Sequence, residues 1–589
     1  MENTFLRGMQ GSVRLEPGSS EELAANMQLS RSWQQDICQV TLTNKNASPV
    51  RVREVVLFHG DFDLSPDCAW YGEGYQMLSQ TNGSLEQPRS IGSYRDHEHY
   101  KLEQLPEFFT AYNLVTFQIE PARHLLLAFT SCRRFSGLFR VNPGSIEVVM
   151  ETEGLVLAPG QRWNLEEFMC GMGADREQLL SRLAERIQQY HPRLTWPGIP
   201  TGWCSWYGYG PEVSEQNIQA AMRAIGTALP DLQYIQIDDG YQRYMGDWLT
   251  PGTRFPRGVK ALCRGIHAHG FEPAIWVAPF IAEQESQVLK EHPDWFVQDD
   301  AGQPLSSAAI SFGGWRKPPW YMLDGTHPGA QAYLERVFRT MREEWGCRYF
   351  KLDALTWGAL PGGRRYDQAA TRIEAYRQGM AALQRGAGDD SLILGCNAPL
   401  WASLGTVHAM RVSGDIARRW STVETVARET FWRNWQHGRL WINDPDCVVL
   451  TNQNGSTLTP DEILFHATAI AASGGMVLSG DRVENLSDEQ WNMLGQLLPP
   501  TGRPARFDDL SQCIGRTQVN GELRLYLFNW DDDPRDLQVP LSSSWQLTDI
   551  WSGADLGLHD GEITLKQMPP HSARLLSARR PADWKADRV

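Results

Sequence analysis

Between residues 198 and 480, short apolar segments alternate with segments of helical pattern. Such an alternation is typical of parallel strands joined by crossover helices. There are eight apolar segments, which is the number of strands in a (β/α)8 barrel. The predicted strands cover residues 202–207, 234–237, 274–278, 349–352, 392–394, 409–412, 440–443 and 476–478. We therefore predict a multidomain chain with a central (β/α)8 TIM-like barrel, whose strands are unevenly spaced because residues 279–348 separate the third from the fourth and only 395–408 separate the fifth from the sixth.

Both flanks of this barrel have the alternating pattern of antiparallel sheet. Stretches of this kind are 39–43, 50–57 and 145–150 before it, and 522–528 and 562–565 after it. A predicted helix over 175–190 and a linker with Pro192 and Pro197 follow the first flank. The sequence predicts an N-terminal β-sandwich domain over 1–190, a (β/α)8 barrel over 198–495 and a small C-terminal β domain over 500–589.

Composition excludes several classes of protein. Of the 589 residues, 42% are hydrophobic, which is typical of folded globular chains. Lys and Arg number 55 against 70 Asp and Glu, so the net charge is −15 and nucleic acid is disfavoured as a partner. The first ten residues lack the pattern of a secretory signal, and no apolar run is long enough to span a membrane. We expect a cytoplasmic protein without a membrane partner, whose oligomeric state, including a homo-oligomer, stays open.

Cysteine and histidine patterns give no sign of a metal site. The 10 Cys are scattered without a CxxC spacing, which predicts reduced thiols. His267 and His269 stand two residues apart in a predicted helix, so they do not share a face as i,i+4 ligands would. No phosphate loop, dinucleotide fingerprint or Ser-His-Asp order is present. We expect neither a metal nor a cofactor.

Tryptophan is unusually frequent, with 23 residues. Several stand beside turn residues, and their flat amphipathic rings suit the apolar faces of sugars. The alternative is that they fill a large core, and composition alone favours neither. The residues concerned are Trp203, Trp206, Trp357, Trp401 and Trp441.

Polar residues follow the predicted strands directly, where a barrel places its active site. A single Asp after a strand is more often a helix cap or a turn residue. A whole set at successive strand ends favours a pocket, and a pocket with paired carboxylates fits glycoside hydrolysis, which uses one as nucleophile or base and another as proton donor. The set comprises Trp206, Asp238, Asp239, Lys351, Asp353, Cys396, Asn397, Arg411 and Asp415.

A series of motifs follows the order of the predicted strands. The motifs are Pro200-Thr-Gly-Trp-Cys-Ser-Trp-Tyr207, Gln236-Ile-Asp-Asp-Gly-Tyr241, Phe350-Lys-Leu-Asp353, Leu394-Gly-Cys396, Met410-Arg-Val-Ser-Gly-Asp415 and Asn443-Asp-Pro-Asp-Cys447. This ordered set resembles the α-galactosidases of glycoside hydrolase family 36. The similarity is strong over about 200–480, and the order of a β domain, a barrel and a second β domain also matches that family.

The resemblance implies roles for two carboxylates. Asp353 matches the nucleophile of these retaining enzymes, and Asp415 matches the acid/base. Lys351 and Arg411 are the expected neighbouring cations. A cation close to Asp353 would keep it ionised, whereas Asp415 must hold a proton despite Arg411.

The resemblance also implies a pocket for galactose. Asp238 and Asp239 would bind the 4- and 6-hydroxyls, and Lys351 the 3- and 4-hydroxyls. Trp206 and Trp276 would form a wall, and Arg411 and Cys396 would lie near the 2-hydroxyl. Asn397, which follows Cys396, is a further candidate for binding substrate. Members of the family commonly lend a Trp from the N-terminal domain to the barrel mouth. Here the most similar segment is 74–78, where Tyr75 is the candidate replacement.

The leading hypothesis is a hydrolase that removes terminal α-linked galactose from small oligosaccharides such as melibiose or raffinose. Within the same family, an α-N-acetylgalactosaminidase or a galactosyl transferase would use the same carboxylates. A different class is a carbohydrate-binding sensor on a decayed enzyme scaffold. That alternative predicts the loss of a catalytic carboxylate, but both are present.

Overall fold

Eight parallel strands form the centre of the molecule, which a computed structural model describes for residues 4–453 and 455–581. In the sheet they follow the order seven, six, five, four, three, two, one, eight. The predicted (β/α)8 barrel is therefore confirmed. Barrel strands one to eight are Thr201–Cys204, Tyr234–Ile237, Glu272–Val277, Tyr349–Leu352, Leu392–Gly395, Ala409–Arg411, Ile442–Asp444 and Val477–Ser479.

The barrel closes between strands seven and eight through a few backbone hydrogen bonds rather than a full ladder. The N–H of Met476 donates to the carbonyl of Asn443 over 3.0 Å. Val448 then donates to the carbonyl of Leu478 and accepts from the N–H of Gly480, both over 2.8 Å. With the barrel closed in this way, the carboxyl ends of its strands all face the barrel mouth.

Helices cover the outside of the barrel after most strands. Four of them begin at a capping box, in which Ser214, Thr371, Thr459 or Ser487 accepts from the third backbone N–H of its helix. The helices of at least eight residues in this part of the chain are Glu215–Ala228, Val259–Ala268, Pro328–Glu343, Arg372–Ala387, Trp420–Arg433, Pro460–Ser473 and Asp488–Gln496. Shorter ones are Trp206–Tyr209 and Gln287–Glu291.

The two uneven intervals have different structures. The long one contains a hairpin in which Ile281–Glu283 pairs with Trp320–Met322, and the loop between these strands reaches the barrel mouth. The short one contains a single 3-10 turn, Trp401–Ser403, and no α-helix. The N-terminal domain covers this place instead, since the Trp401 indole donates to the carbonyl of Phe129 over 2.8 Å.

The N-terminal residues form two antiparallel sheets with a shared core, as predicted for a sandwich. Phe58 of the first sheet packs on Phe168 of the second, with ring centroids 5.4 Å apart. The first sheet contains Gln10–Leu15, Val50–Asp61, Phe109–Tyr112, Ser136–Val141 and Ser145–Leu157; the second contains Met27–Gln34, Ile37–Asn44, Ala69–Glu73, Gln80–Ser84, Pro88–Ser90, Leu114–Glu120, Arg123–Phe129, Arg162–Asn164 and Phe168–Gly173. Short helices Thr4–Gly8, Glu21–Ala25 and Asp96–Tyr100 accompany them, and the helix Arg176–Ile187 leads to the barrel.

The C-terminal residues form antiparallel sheets that pack on the barrel helix Pro460–Ser473. Phe465 of that helix contacts Phe528, with ring centroids 4.9 Å apart. Within the described residues, no helix combines the length and the apolar character needed to cross a membrane. The strands are Arg506–Phe507, Ile514–Val519, Glu522–Asn529, Trp545–Asp549, Asp555–His559 and Ser572–Arg579 in one sheet, and Arg535–Pro540 with Glu562–Met568 in the other.

Most of the tryptophans considered for a sugar-binding rim belong to the core. Trp203, Trp357, Trp401 and Trp441 are at most 1% exposed. Only Trp206 among that group is half-buried and reaches the barrel mouth. The high tryptophan content thus mainly reflects the packing of a large core.

Candidate active site

A cavity of about 650 Å³ lies at the carboxyl ends of the barrel strands. Its size is that of a pocket for a small molecule. A larger crevice of about 960 Å³ lies between the three domains, next to Trp432 and Leu510, but it contains neither candidate catalytic carboxylate. The predicted site residues that line the cavity at the strand ends are Trp206, Asp238, Asp239, Trp276, Lys351, Asp353, Cys396, Asn397 and Asp415.

Asp353 follows barrel strand four and is held by two donors. The indole N–H of Trp276 donates to one carboxylate oxygen over 3.0 Å, and the backbone N–H of Ala354 donates to the other over 2.6 Å. Ala354 adopts a left-handed conformation with φ of 51°, which turns the chain sharply after Asp353. Burial raises the pKa of Asp353, and nearby Lys351 opposes that rise.

The cation predicted beside Asp353 is bonded elsewhere. The ammonium of Lys351 lies 2.9 Å from Oδ2 of Asp238. The same oxygen accepts from the side-chain amide of Gln236 over 2.7 Å. The ammonium of Lys351 therefore acts on Asp353 through its electrostatic field. The two hydrogen bonds described above fix the Asp353 carboxylate directly.

Asp239 has one paired and one unpaired carboxylate oxygen. Its Oδ1 accepts from Gln242 over 2.6 Å and lies 3.1 Å from the guanidinium of Arg316. Its Oδ2 is buried, and none of the described residues donates to it. Burial raises the pKa of Asp239 to about 6. A ligand hydroxyl would give this oxygen the hydrogen bond that a buried acceptor needs.

Asp415 belongs to a loop that follows barrel strand six. Its side chain is 63% exposed, and Oδ1 lies 2.8 Å from the guanidinium of Arg411. Glu429, on the helix Trp420–Arg433, accepts from the N–H of Gly414 over 2.5 Å and also from the N–H of Ser93 over 2.6 Å. Glu429 thus ties the Asp415 loop to the N-terminal domain.

Two predicted site residues do not line the cavity. Arg411 is 1% exposed and lies behind Asp415 and Cys396. Tyr75, which sequence suggested for the barrel mouth, is 2% exposed. Its hydroxyl donates to the carbonyl of Ala359 over 2.6 Å, and Arg372 donates to it over 3.3 Å. Tyr75 is buried because it joins the N-terminal domain to the barrel.

Other aromatic side chains occupy the mouth in its place. The ring of His99 lies between Tyr94 and Phe312, at centroid distances of 4.2 and 3.8 Å. Tyr94, Phe312 and Trp315 are 49%, 38% and 39% exposed. We call these four residues the rim. The unusual length of the interval 279–348 was a signal for Phe312, Trp315 and Arg316, whereas no local pattern indicated Tyr94 or His99.

Comparisons with known proteins find glycoside hydrolases. A family model described as Melibiase matches residues 233–382, the stretch that contains barrel strands two to four. A probable alpha-galactosidase B from Talaromyces emersonii is 24% identical over 444 residues, which cover 64% of this chain and 90% of the relative. An alpha-galactosidase from Oryza sativa is 24% identical over 302 residues, covering 50% and 60%.

Solved structures share the fold at low sequence identity. TtGalA, an alpha-galactosidase from Thermus thermophilus in complex with p-nitrophenyl alpha-D-galactopyranoside, has a TM-score of 0.62 and 22% identity, covering 83% of this chain and 97% of that one. The GH36 alpha-galactosidase AgaA from Geobacillus stearothermophilus, in complex with raffinose, has a TM-score of 0.63 and 13% identity over 94% and 81%. A GH27 β-L-arabinopyranosidase from the same species has a TM-score of 0.55 and 18% identity over 65% and 97%.

Proposed function

We infer that this chain is a glycoside hydrolase of the α-galactosidase kind, which removes terminal α-linked galactose from small oligosaccharides. The family model and the curated relatives support the class of enzyme. The observation that carries the proposal for the site is a single cavity containing Asp353, Asp415 and the Asp238–Asp239 pair. The affiliation with family 36 in particular, rather than family 27, is part of the proposal.

The proposed reaction is a double displacement with retention of configuration. A carboxylate oxygen of Asp353 attacks the anomeric carbon while the bond to the leaving oxygen breaks and Asp415 gives that oxygen its proton. Asp415 then removes a proton from water, which attacks the same carbon and releases Asp353. The donors Trp276 and Ala354 support this role because they hold the Asp353 oxygens in a fixed orientation before substrate binds.

The buried acceptors suit the hydroxyls of galactose. The unpaired Oδ2 of Asp239 is placed to accept from one hydroxyl, and Lys351 adds a donor close to Asp238. We assign the 4- and 6-hydroxyls to the aspartate pair. A glucoside, whose 4-hydroxyl points elsewhere, would leave a buried acceptor unpaired and should react more slowly by about 10⁴-fold or more.

The rim supports an oligosaccharide as the substrate. Its rings line the same cavity as Asp353 and Asp415, three of them are exposed, and sugar faces pack well on aromatic rings. The N-terminal domain supplies Tyr94 and His99, and the barrel supplies Phe312 and Trp315. We propose that these residues contact the leaving sugar of melibiose or raffinose.

A panel of nitrophenyl α-glycosides tests the proposal. We expect the galactoside to be hydrolysed far faster than the glucoside, xyloside or N-acetylgalactosaminide. Preference for the N-acetylgalactosaminide would favour the related N-acetylgalactosaminidase, and disaccharide formation at high substrate would favour transfer. Binding of galactose without turnover of any glycoside would favour a sensor. A cytoplasmic location stays a prediction, and the oligomeric state, including a homo-oligomer, stays open.

A further inference from the structure

One guanidinium nitrogen of Arg411 forms ion pairs with two carboxylates. Nη2 lies 2.7 Å from Oδ2 of Asp446 and 2.8 Å from Oδ1 of Asp415. The side chains of Arg411 and Asp446 are only 1% and 2% exposed, whereas Asp415 opens into the cavity. The charge of Asp446 therefore offsets that of Arg411 in a place where water screens little.

Asp446 also fixes the backbone beside Asp415. Its Oδ2 accepts from the N–H of Ile416 over 2.7 Å and from the hydroxyl of Tyr207. On the other side of Asp415, Glu429 holds the N–H of Gly414. Both neighbours of Asp415 are thus bonded to buried carboxylates.

We propose that Asp446 is a positioning residue, which sets the proton affinity of Asp415 through the shared guanidinium of Arg411. This inference rests on the proposed function, because it takes Asp415 as the acid/base. A general acid must hold a proton before the first step, but an unbalanced cation beside it would favour its anion. With Asp446 ionised, Asp415 lies next to a neutral pair instead of a cation.

The charged and titratable neighbours are consistent with this role. Burial raises the pKa of Asp446 to about 6, and Arg411 opposes the rise. Above that pH, Asp446 and Arg411 form an ion pair. The other groups that act on Asp446, Arg411 or Tyr207 at this point are Asp415, Asp444, Cys396 and Cys447, and Asp353 faces Asp415 across the cavity.

The test is the pH profile of kcat/KM for Asp446→Asn, on melibiose and on nitrophenyl α-galactoside. Asn keeps the size of the side chain and tolerates the φ of 77° at this position. The basic limb, which reports loss of the proton from Asp415, should move to lower pH by about one unit. Above that limb, turnover of melibiose should fall about tenfold, and turnover of the activated galactoside should fall less because its phenolate needs little protonation.

Two further variants separate electrostatics from structure. Tyr207→Phe removes a hydrogen bond of Asp446 but keeps its charge, so it should move the limb by less than half as much. The double variant Arg411→Met with Asp446→Asn removes both charges and should return the limb to within about half a unit of the wild type. The double variant also tests the proposal if Asp446→Asn alone does not fold.

A uniform loss of activity at every pH, with the limb unmoved in a folded Asp446→Asn protein, would overturn the inference. A basic limb that stays at lower pH in the folded double variant would also overturn the inference. If the wild type hydrolyses no glycoside, the proposed function fails separately. The protonation of Asp415 can then be followed by infrared spectroscopy of protein labelled with ¹³C-aspartate, with Asp415→Asn as the reference. In that experiment, Asp446→Asn should lower the pH at which Asp415 loses its proton by the same amount as expected for the basic limb.

Discussion

At the scale of single residues, the proposed nucleophile has more fixed surroundings than the proposed acid. Asp353 accepts from an indole and a backbone N–H, and both donors belong to the barrel wall. Asp415 is exposed and depends on a loop that buried carboxylates hold in place. The fixed orientation of Asp353 suits a nucleophile that must attack one carbon. The exposure of Asp415 suits a group that exchanges protons with a leaving oxygen and with water.

Asp353→Ala should lower kcat/KM for α-galactosides by at least about 10⁴-fold while the melting temperature changes little. The carboxylate lies at a strand end, so its loss removes chemistry rather than core packing. Azide should restore turnover and give β-galactosyl azide, which nuclear magnetic resonance identifies. Near-wild-type rates without azide would remove Asp353 from the mechanism.

Asp239→Asn should reduce activity and raise stability at neutral pH. In the folded state the pKa of Asp239 is about 6, above its ordinary value of 3.8, so the native protein binds the proton more tightly than the unfolded chain. The wild type therefore loses stability as pH rises from about 4 to 6, and the Asn variant does not. Its unfolding free energy should exceed that of the wild type at pH 7 and approach it near pH 4.

The same variant should lose roughly 2 kcal/mol of transition-state binding on galactosides, about a 30-fold loss in kcat/KM. Asp238→Asn is the matched comparison, because it leaves the ammonium of buried Lys351 without its carboxylate partner and should destabilise the protein. An unchanged galactoside rate and an unchanged ratio to the glucoside would remove Asp239 from sugar binding.

At the scale of elements, barrel strands one and two approach so closely that one of them needs glycine. A Cβ on Gly202 would lie 2.2 Å from the carbonyl oxygen of Tyr234, which is part of the neighbouring strand. Gly202→Ala should therefore destabilise the barrel by about 1–3 kcal/mol. Gly265 in the helix Val259–Ala268 has no atom within 4 Å of such a Cβ, so Gly265→Ala should stabilise by about 0.5–1 kcal/mol. Denaturant midpoints of the two variants should move in opposite directions; movement in the same direction would contradict this account of the strand contact.

Barrel strands were predictable from sequence because each is a short apolar run that ends at polar or turn residues. The bounds 234–237 and 349–352 match the structure, and the other strands differ by a few residues at their ends. Arg316 was not predicted: the length of the interval 279–348 indicated an insertion, but no periodicity describes the path of the irregular loop that contains Arg316. Tyr94 and His99 were not predictable either, since they reach the cavity only through the contact between two domains. Tyr75 was misplaced for the same reason.

At the scale of the whole molecule, the N-terminal domain contributes residues to the cavity that contains the proposed active site. It supplies two rim residues and a carboxylate, Glu73, which is buried against Arg433 of the barrel helix Trp420–Arg433. Neither of these two side chains is exposed to solvent. Loss of the domain contact would therefore disturb the helix that also carries Glu429 and holds the Asp415 loop.

Glu73→Gln should destabilise the protein by about 3–5 kcal/mol, because it leaves the charge of Arg433 buried without its carboxylate partner. Glu424→Gln is the matched control. Its partner Arg428 lies 3.0 Å away on the same helix, but both side chains are partly exposed, so the loss should stay below about 1 kcal/mol. Thermal unfolding of the two variants measures the difference, and equal effects would show that the interdomain ion pair has no special role.

The proposed reaction is the release of α-linked galactose by Asp353 and Asp415 with retention of configuration. It is tested most directly by following the hydrolysis of nitrophenyl α-galactoside with proton nuclear magnetic resonance from the first turnovers. We expect α-galactose to form first and the β anomer to appear later, at the rate of mutarotation. β-Galactose as the first product would contradict it, because a single displacement would then replace the covalent step assigned to Asp353.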